Sequence, residues 1–274
     1  MAQKKILYVA SEIYPYLEEN YISQICRYLP QGIQENENEI RTFMPKYGII
    51  NERKNLLHEV IRLSGQNIII EDSDHPLIIK VASLQAVRMQ IYFIGSEDFF
   101  SRKHLIRDEE GVFFPDNDSR AIFFAKGVIE TVCKLGWNPD IIHCHGWISS
   151  LIPVFIKTCY KDNPFFQDAK IVTSIYHDHF KEKFKPRFAK KLKNTGIPQE
   201  CLTHFKSPTY DSIIQSSIDH SDGIVIGHSD IKPSIMEYLK KYKGPIFKHP
   251  EGEDEYVEQY EEFYDLVMGN NSTL

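Results

Sequence analysis

Apolar runs of strand length alternate along this chain with longer stretches whose apolar positions recur every three or four residues. "KILYVA" reads as a strand buried on both faces, and Asn20 to about Ile33 as a helix that Pro30 kinks or restarts. "IRTFMP" is a second strand. Between Leu56 and Ile94 the texture changes to "LHEVIRL", "NIIIED", "PLIIKVAS" and "VRMQIYFIG", which are strand-length, rich in β-branched residues and parted by turn residues. They predict a β-rich insertion over about 56–95. Further on, "NDSRAIFFAKGVIETVCKLG" sets Ile122, Ala125, Val128, Ile129 and Val132 on one helical face, starting near Asp118 or Ser119 as cap and ending at Gly136. "PDIIHCH", "AKIVTSIYH" and "DGIVIGHS" then alternate as strands with the helical stretches "WISSLIPVFIKTCY", "YDSIIQSSIDHS" and "IKPSIMEYLKKY". This order predicts an α/β, Rossmann-like parallel sheet with helices on both faces over residues 1–250. An acidic helix or tail follows over 251–274, with Tyr256, Tyr260, Phe263 and Leu266 at helical spacing, and is expected to dock on its own domain.

In open parallel sheets, ligands bind beyond the C-terminal ends of the strands. That rule selects four loops: Ser11 to Tyr21, His143 to Trp147, Tyr176 to Phe180 and Gly227 to Asp230. Two contain His-x-His pairs, His143 with His145 and His177 with His179, which with Asp178 suit a transition metal if their strands are neighbours. Alternating residues share a face only while a strand continues, and both pairs sit where strands should end. Core histidines with hydrogen-bonded imidazoles are the simpler reading, and no metal or other cofactor is implied. Cys144 lies between two histidines, but a strand would point it to the opposite face, and no G-x-S-x-G elbow, G-x-G-x-x-G fingerprint or P-loop is present.

Composition narrows the partners. With 32 Lys and Arg against 38 Asp and Glu, the net charge of −6 gives no global positive field for nucleic acid or an anionic membrane. A local basic cluster, Lys181 to Lys193, is interrupted by Phe184 and Phe188 and reads as a mobile, solvated face. The five cysteines are scattered and mostly within apolar segments, as expected for reduced thiols. The short apolar run before Ser11 and Glu12 is a strand and no signal peptide, which points to the cytoplasm.

"KKILYVASEIYPY", "FMPKYGII", "FFPDNDSRAIFFAKGVIE", "GWNPDIIHCHGW", "LIPVFIKTCYKDNPFFQDAKIVTSIYH" and "HSDGIVIGHS" occur in an order and spacing that resembles the N-terminal catalytic domain of bacterial glycogen synthases and plant starch synthases, from about Lys4 to about Leu239. The resemblance implies one half of a two-domain glycosyltransferase that moves glucose, with retention, from ADP-glucose to the end of an α-1,4-glucan. It implies an α-glucan or maltooligosaccharide as ligand; this chain stops where the first domain hands over to the donor-binding one, and a half-enzyme completed by a separate donor-binding domain is one alternative.

The matched positions depart from the family pattern. Where the family reads Lys-Thr-Gly-Gly-Leu, an ungapped match sets Glu18, Glu19, Asn20, Tyr21 and Ile22. At an effective dielectric near 20 and roughly 5 Å, replacing attraction to a diphosphate by repulsion is worth several kcal/mol, of order 10³-fold or more in binding. Asn20 and Tyr21 also lack glycine's freedom for close backbone approach. Gln24 stands where the family has an acid, and Gly146 and Ile148 replace Asp and His in the run around His145 and Trp147. The family's His-Asn aligns with Tyr176-His177, and a one-residue shift makes His177 the candidate catalytic histidine. The substrate-binding positions implied are Glu18, Gln24, His145, Trp147 and Tyr176, with activity of the isolated chain expected to be weak or absent. A non-catalytic glucan-binding or partner-binding module is the alternative.

Overall fold

The computed structural model describes residues 3–85, 87–250, 252 and 256–270. Seven strands form its parallel core: β1 (Lys5–Ala10), β2 (Glu39–Pro45), β7 (Met89–Gly95), β8 (Ile141–His145), β9 (Lys170–Ile175), β10 (Gly223–Ile226) and β11 (Ile246–Lys248). With β6 (Ile78–Leu84) and β3 (His58–Glu59) they make a nine-stranded sheet of order β11-β10-β9-β8-β1-β2-β7-β6-β3. Only the last two pairings, β7 with β6 and β6 with β3, are antiparallel. The stretch read as an insertion is therefore mostly sheet: β7 lies parallel to β2, and only the hairpin of β4 (Asn67–Ile70) and β5 (Ser73–Pro76) stands apart. β-branched texture points to β3, β4, β6 and β7 but not to β5, and it says nothing about which neighbour each strand pairs with.

Central strands are apolar on both faces because helices cover both. On one face lies α1 (Tyr21–Glu35), which buries Ile22, Ile25, Cys26, Leu29 and Ile33. Pro30 sits inside this helix, which runs on without restarting. Against α1 packs the C-terminal helix α8 (Val257–Met268), whose Val257 fills the space left by Gly32. Other helices form a second group: α3 (Asn117–Leu135) contacts α2 (Glu97–Phe100), α4 (Ile152–Thr158) and α5 (Phe188–Asn194), and α6 (Tyr210–Asp219) contacts α4 and α7 (Pro233–Leu239). Asp116, not Asp118 or Ser119, precedes the first turn of α3, and Gly136 ends it in the left-handed conformation. Asp118 is instead buried in an ion pair with Lys191, 2.7 Å away, that ties α5 to α3. Phe184 and Phe188 are buried too, so the basic segment is anchored, with its remaining cations turned outward.

The stretch "WISSLIPVFIKTCY" is not one helix. A 3-10 turn over Trp147–Ser149 precedes α4, because Pro153 sets a new first turn. The segment 251–274 contains α8, while residue 251 and residues 253–255 and 271–274 lie outside those described. Tyr260, Phe263, Tyr264 and Val267 are the buried face of α8, and Leu266 is 55% exposed.

Candidate functional site

The registers Ala10 with His145, His145 with Ser174 and Ile175 with Ile226 bring the C-terminal ends of β1, β8, β9 and β10 to one edge. All four loops selected from the sequence start there. A cleft of about 520 Å³ opens beside the first loop, between Glu12, Tyr16, Glu18 and Asn20 on one wall and Lys103 and Arg107 on the other.

At the start of α1, the helix N-terminus offers the backbone N–H groups that a phosphate would bind. Here the chain satisfies them itself. Asn20 is extended (φ −146°) and accepts the Ser23 N–H at 2.9 Å, while Ser23 Oγ accepts the Asn20 N–H at 2.9 Å, a reciprocal capping box. The Asn20 amide also donates to Glu12 Oε2 at 2.6 Å. Glu18 and Glu19 are exposed, and Glu19 accepts from the Gln24 amide at 2.6 Å. Three carboxylates thus surround a corner whose third helical amide is already occupied.

Beneath the loops runs a column of rings. β8 ends at His145 and includes both residues, so His143 and His145 share a face with ring centroids 3.9 Å apart, where the sequence had the strand ending around the pair. His143 is bonded through Nδ1 to the Tyr264 hydroxyl and through Nε2 to Ser174 Oγ, both at 2.7 Å. His145 Nδ1 pairs with the Tyr176 hydroxyl at 2.7 Å. Burial keeps both imidazoles neutral: it pushes His143 well below its ordinary value, helped by His145, and His145 down to about 3, helped by His249. His145 and Tyr176 are fully buried and the Trp147 ring is 5% exposed against Phe180 and Phe184, so these three shape the edge from within.

His177 and His179 follow β9, with rings 4.6 Å apart. His177 is half-exposed. Its Nδ1 donates to the Asp230 carbonyl at 2.8 Å and lies 3.0 Å from the Asp230 carboxylate, which leaves Nε2 as the acceptor nitrogen. Of the residues singled out from the family pattern, Glu18, Gln24 and His177 are exposed.

Asp178, which the sequence offered only as a metal ligand beside the His-x-His pairs, is instead held by hydrogen bonds between loops. Its Oδ2 accepts the Trp147 N–H at 2.7 Å, and its Oδ1 accepts the Tyr210 hydroxyl at 2.6 Å, which joins the loops after β8 and β9 to the first turn of α6. Gly146 makes this possible. It has φ 80° and ψ 163°, a conformation open essentially to glycine alone, and a Cβ there would lie 2.3 Å from Ser11 Oγ and 3.3 Å from Asp178 Oδ2. Burial raises the pKa of Asp178 against the lowering effect of its hydrogen bonds. Glu12 is raised by burial, opposed by the Asn20 amide and reinforced by the negative charge of Asp178. Among the described residues, no group of three or more His, Cys, Asp or Glu is arranged to hold a metal ion.

A parallel sheet with helices on both faces, opening into a cleft at its strand C-termini, defines a Rossmann-like α/β domain. The chain belongs to the family described as the starch synthase catalytic domain, which matches residues 5–235. It is 39% identical over 221 residues to a glycogen synthase of Chlorobium limicola, covering 80% of this chain and 44% of that protein. Over 247 residues it is 35% identical to a glycogen synthase of Chlorobium phaeovibrioides, covering 89% and 48%. Its fold matches the catalytic domain of starch synthase IV from Arabidopsis thaliana bound to ADP and acarbose, with a TM-score of 0.69 at 15% identity, over 90% of this chain and 52% of that one. The chain spans about half the length of the relatives it matches. No helix among the described residues is long and apolar enough to cross a membrane.

Proposed function

We propose that this domain is the acceptor side of a glycogen or starch synthase-type glucosyltransferase, that it binds α-glucan, and that alone it transfers little or no glucose from ADP-glucose. The observation behind this reading is the first loop. A donor diphosphate would meet Glu12, Glu18 and Glu19, and would find the Ser23 amide already capped by Asn20. Displacing that cap costs about 1 kcal/mol before any charge repulsion. A neutral oligosaccharide brings no such repulsion, and its hydroxyls match an edge rich in carboxylate and imidazole acceptors. Within this reading His177, held by Asp230, is the imidazole that faces the bound sugar.

A second reading is that a separate donor-binding domain completes the cleft. Radiolabelled ADP-glucose and UDP-glucose with glycogen as acceptor separate the readings. The first expects no incorporation beyond background. The second expects incorporation only when an isolated donor domain is added, and transfer by this chain alone at rates typical of enzymes, about 10 per second, contradicts both.

A further inference from the structure

We propose that Asp178 is a specificity-determining residue of this edge, acting with Glu12 to select neutral hydroxyl-bearing ligands over phosphate-bearing ones. The inference rests on the reading of the domain as a glucan binder and names the groups that would recognise the sugar. Asp178 comes from the loop after β9, Glu12 from the loop after β1, and each is held only by neutral donors: Trp147 N–H and the Tyr210 hydroxyl for the first, the Asn20 amide for the second. Neither makes an ion pair with a described residue. An ionised carboxylate offers about four lone-pair sites, so acceptor capacity remains on both. Adjacent sugar hydroxyls donate to such groups in charge-assisted bonds, whereas a diphosphate adds like charge.

Ser11 is the independent sign that something polar belongs here. It is 4% exposed, its Oγ has no hydrogen-bond partner among the described residues, and it flanks the same point above Gly146 that Asp178 Oδ2 approaches. A buried hydroxyl left without a partner is uncommon in folded proteins, and a ligand hydroxyl would supply one. Around Asp178 the titratable neighbours are Glu12 from the loop after β1, Tyr210 from α6 and His179 from its own loop. Burial raises the pKa of both carboxylates, so they protonate sooner than exposed acids as pH falls, lose acceptor sites, and sugar affinity falls with them.

The test is calorimetric titration of the wild type, Asp178→Asn and Glu12→Gln with maltoheptaose and with ADP, from pH 4.5 to 7.5. Asn keeps an oxygen for the Trp147 N–H, and the Gln variant gives an independent measurement should the first fold poorly. The expected result is about tenfold weaker maltoheptaose binding in each variant, a flatter pH profile, and an ADP affinity that rises. A purely architectural Asp178 would change the melting temperature without these shifts. Maltoheptaose binding and pH profile unchanged in Asp178→Asn overturn the role of Asp178 alone. A wild type that binds no maltooligosaccharide overturns the glucan-binding reading together with it.

Discussion

At the scale of single residues, the acids at the first loop and the imidazoles beneath it make opposite demands on pH. His145 is held near 3 when folded and returns to its ordinary 6.5 when unfolded, and His143 is depressed as well. A base with a lowered folded pKa stabilises fully above 6.5, and that contribution is lost as pH falls from 6.5 toward 3. The raised acids Glu12 and Asp178 work the other way, losing stability as pH rises through their folded pKa values. Urea unfolding at pH 7 and pH 4.5 should show His145 alone lowering stability by about 2–3 kcal/mol at the acid end. His145→Phe should flatten the difference, and an unchanged slope would show that the imidazole column opens to water. The loop makes a separate prediction: Glu18→Lys with Glu19→Thr, Asn20→Gly and Tyr21→Gly should raise ADP affinity by well over tenfold in titration. No gain would mean that charge and capping explain less of this corner than proposed. The acids were legible from the sequence because a charge at a helix start is read directly. The Gly146–Asp178 exchange of space was not, since it depends on loops converging from three strands, whereas the Asn20 cap is local, with Ser23 three residues on, and was overlooked.

Among the elements, α8 shows what sequence spacing resolves and what it misses. Its amphipathic face was legible, but Leu266 is exposed while Tyr264 and Val267 are buried, since a helix advancing 100° per residue continues from Phe263 through Val267. The phase of the helix is set by what it covers. Tyr264 reaches Tyr8 at 3.1 Å and His143 at 2.7 Å through one hydroxyl, and Asp265 meets Lys4 at 2.9 Å in a buried pair. Tyr264→Phe leaves both buried partners short of a bond and should cost about 1–3 kcal/mol by denaturant titration. Gly223→Leu should loosen the same helix by collision, because a Cβ there lies 2.6 Å from Val267 and 3.0 Å from Phe263. A wild-type melting temperature for that variant would mean that α8 docks more loosely than the contacts indicate. Strand order had the opposite fate: alternation gave β1, β2 and β8 to β10 with their polar ends, while the partners of β6 and β7 follow from long-range pairing that local pattern does not encode.

For the whole molecule, the fold agrees with the family. The sheet still brings four loops to one edge, as in the starch synthase catalytic domain whose family it shares. The cleft there carries Glu12 and Glu18 on one wall and Lys103 and Arg107 on the other, and the N-terminus of α1 is capped by the protein's own side chains. On the proposed function, this domain binds an α-glucan without binding the nucleotide sugar. Side-by-side calorimetric titration of the unmodified chain with maltoheptaose and with ADP-glucose at pH 7 tests this most directly. The prediction is measurable affinity for maltoheptaose and none for ADP-glucose, and ADP-glucose binding as tight as that of the oligosaccharide would contradict it.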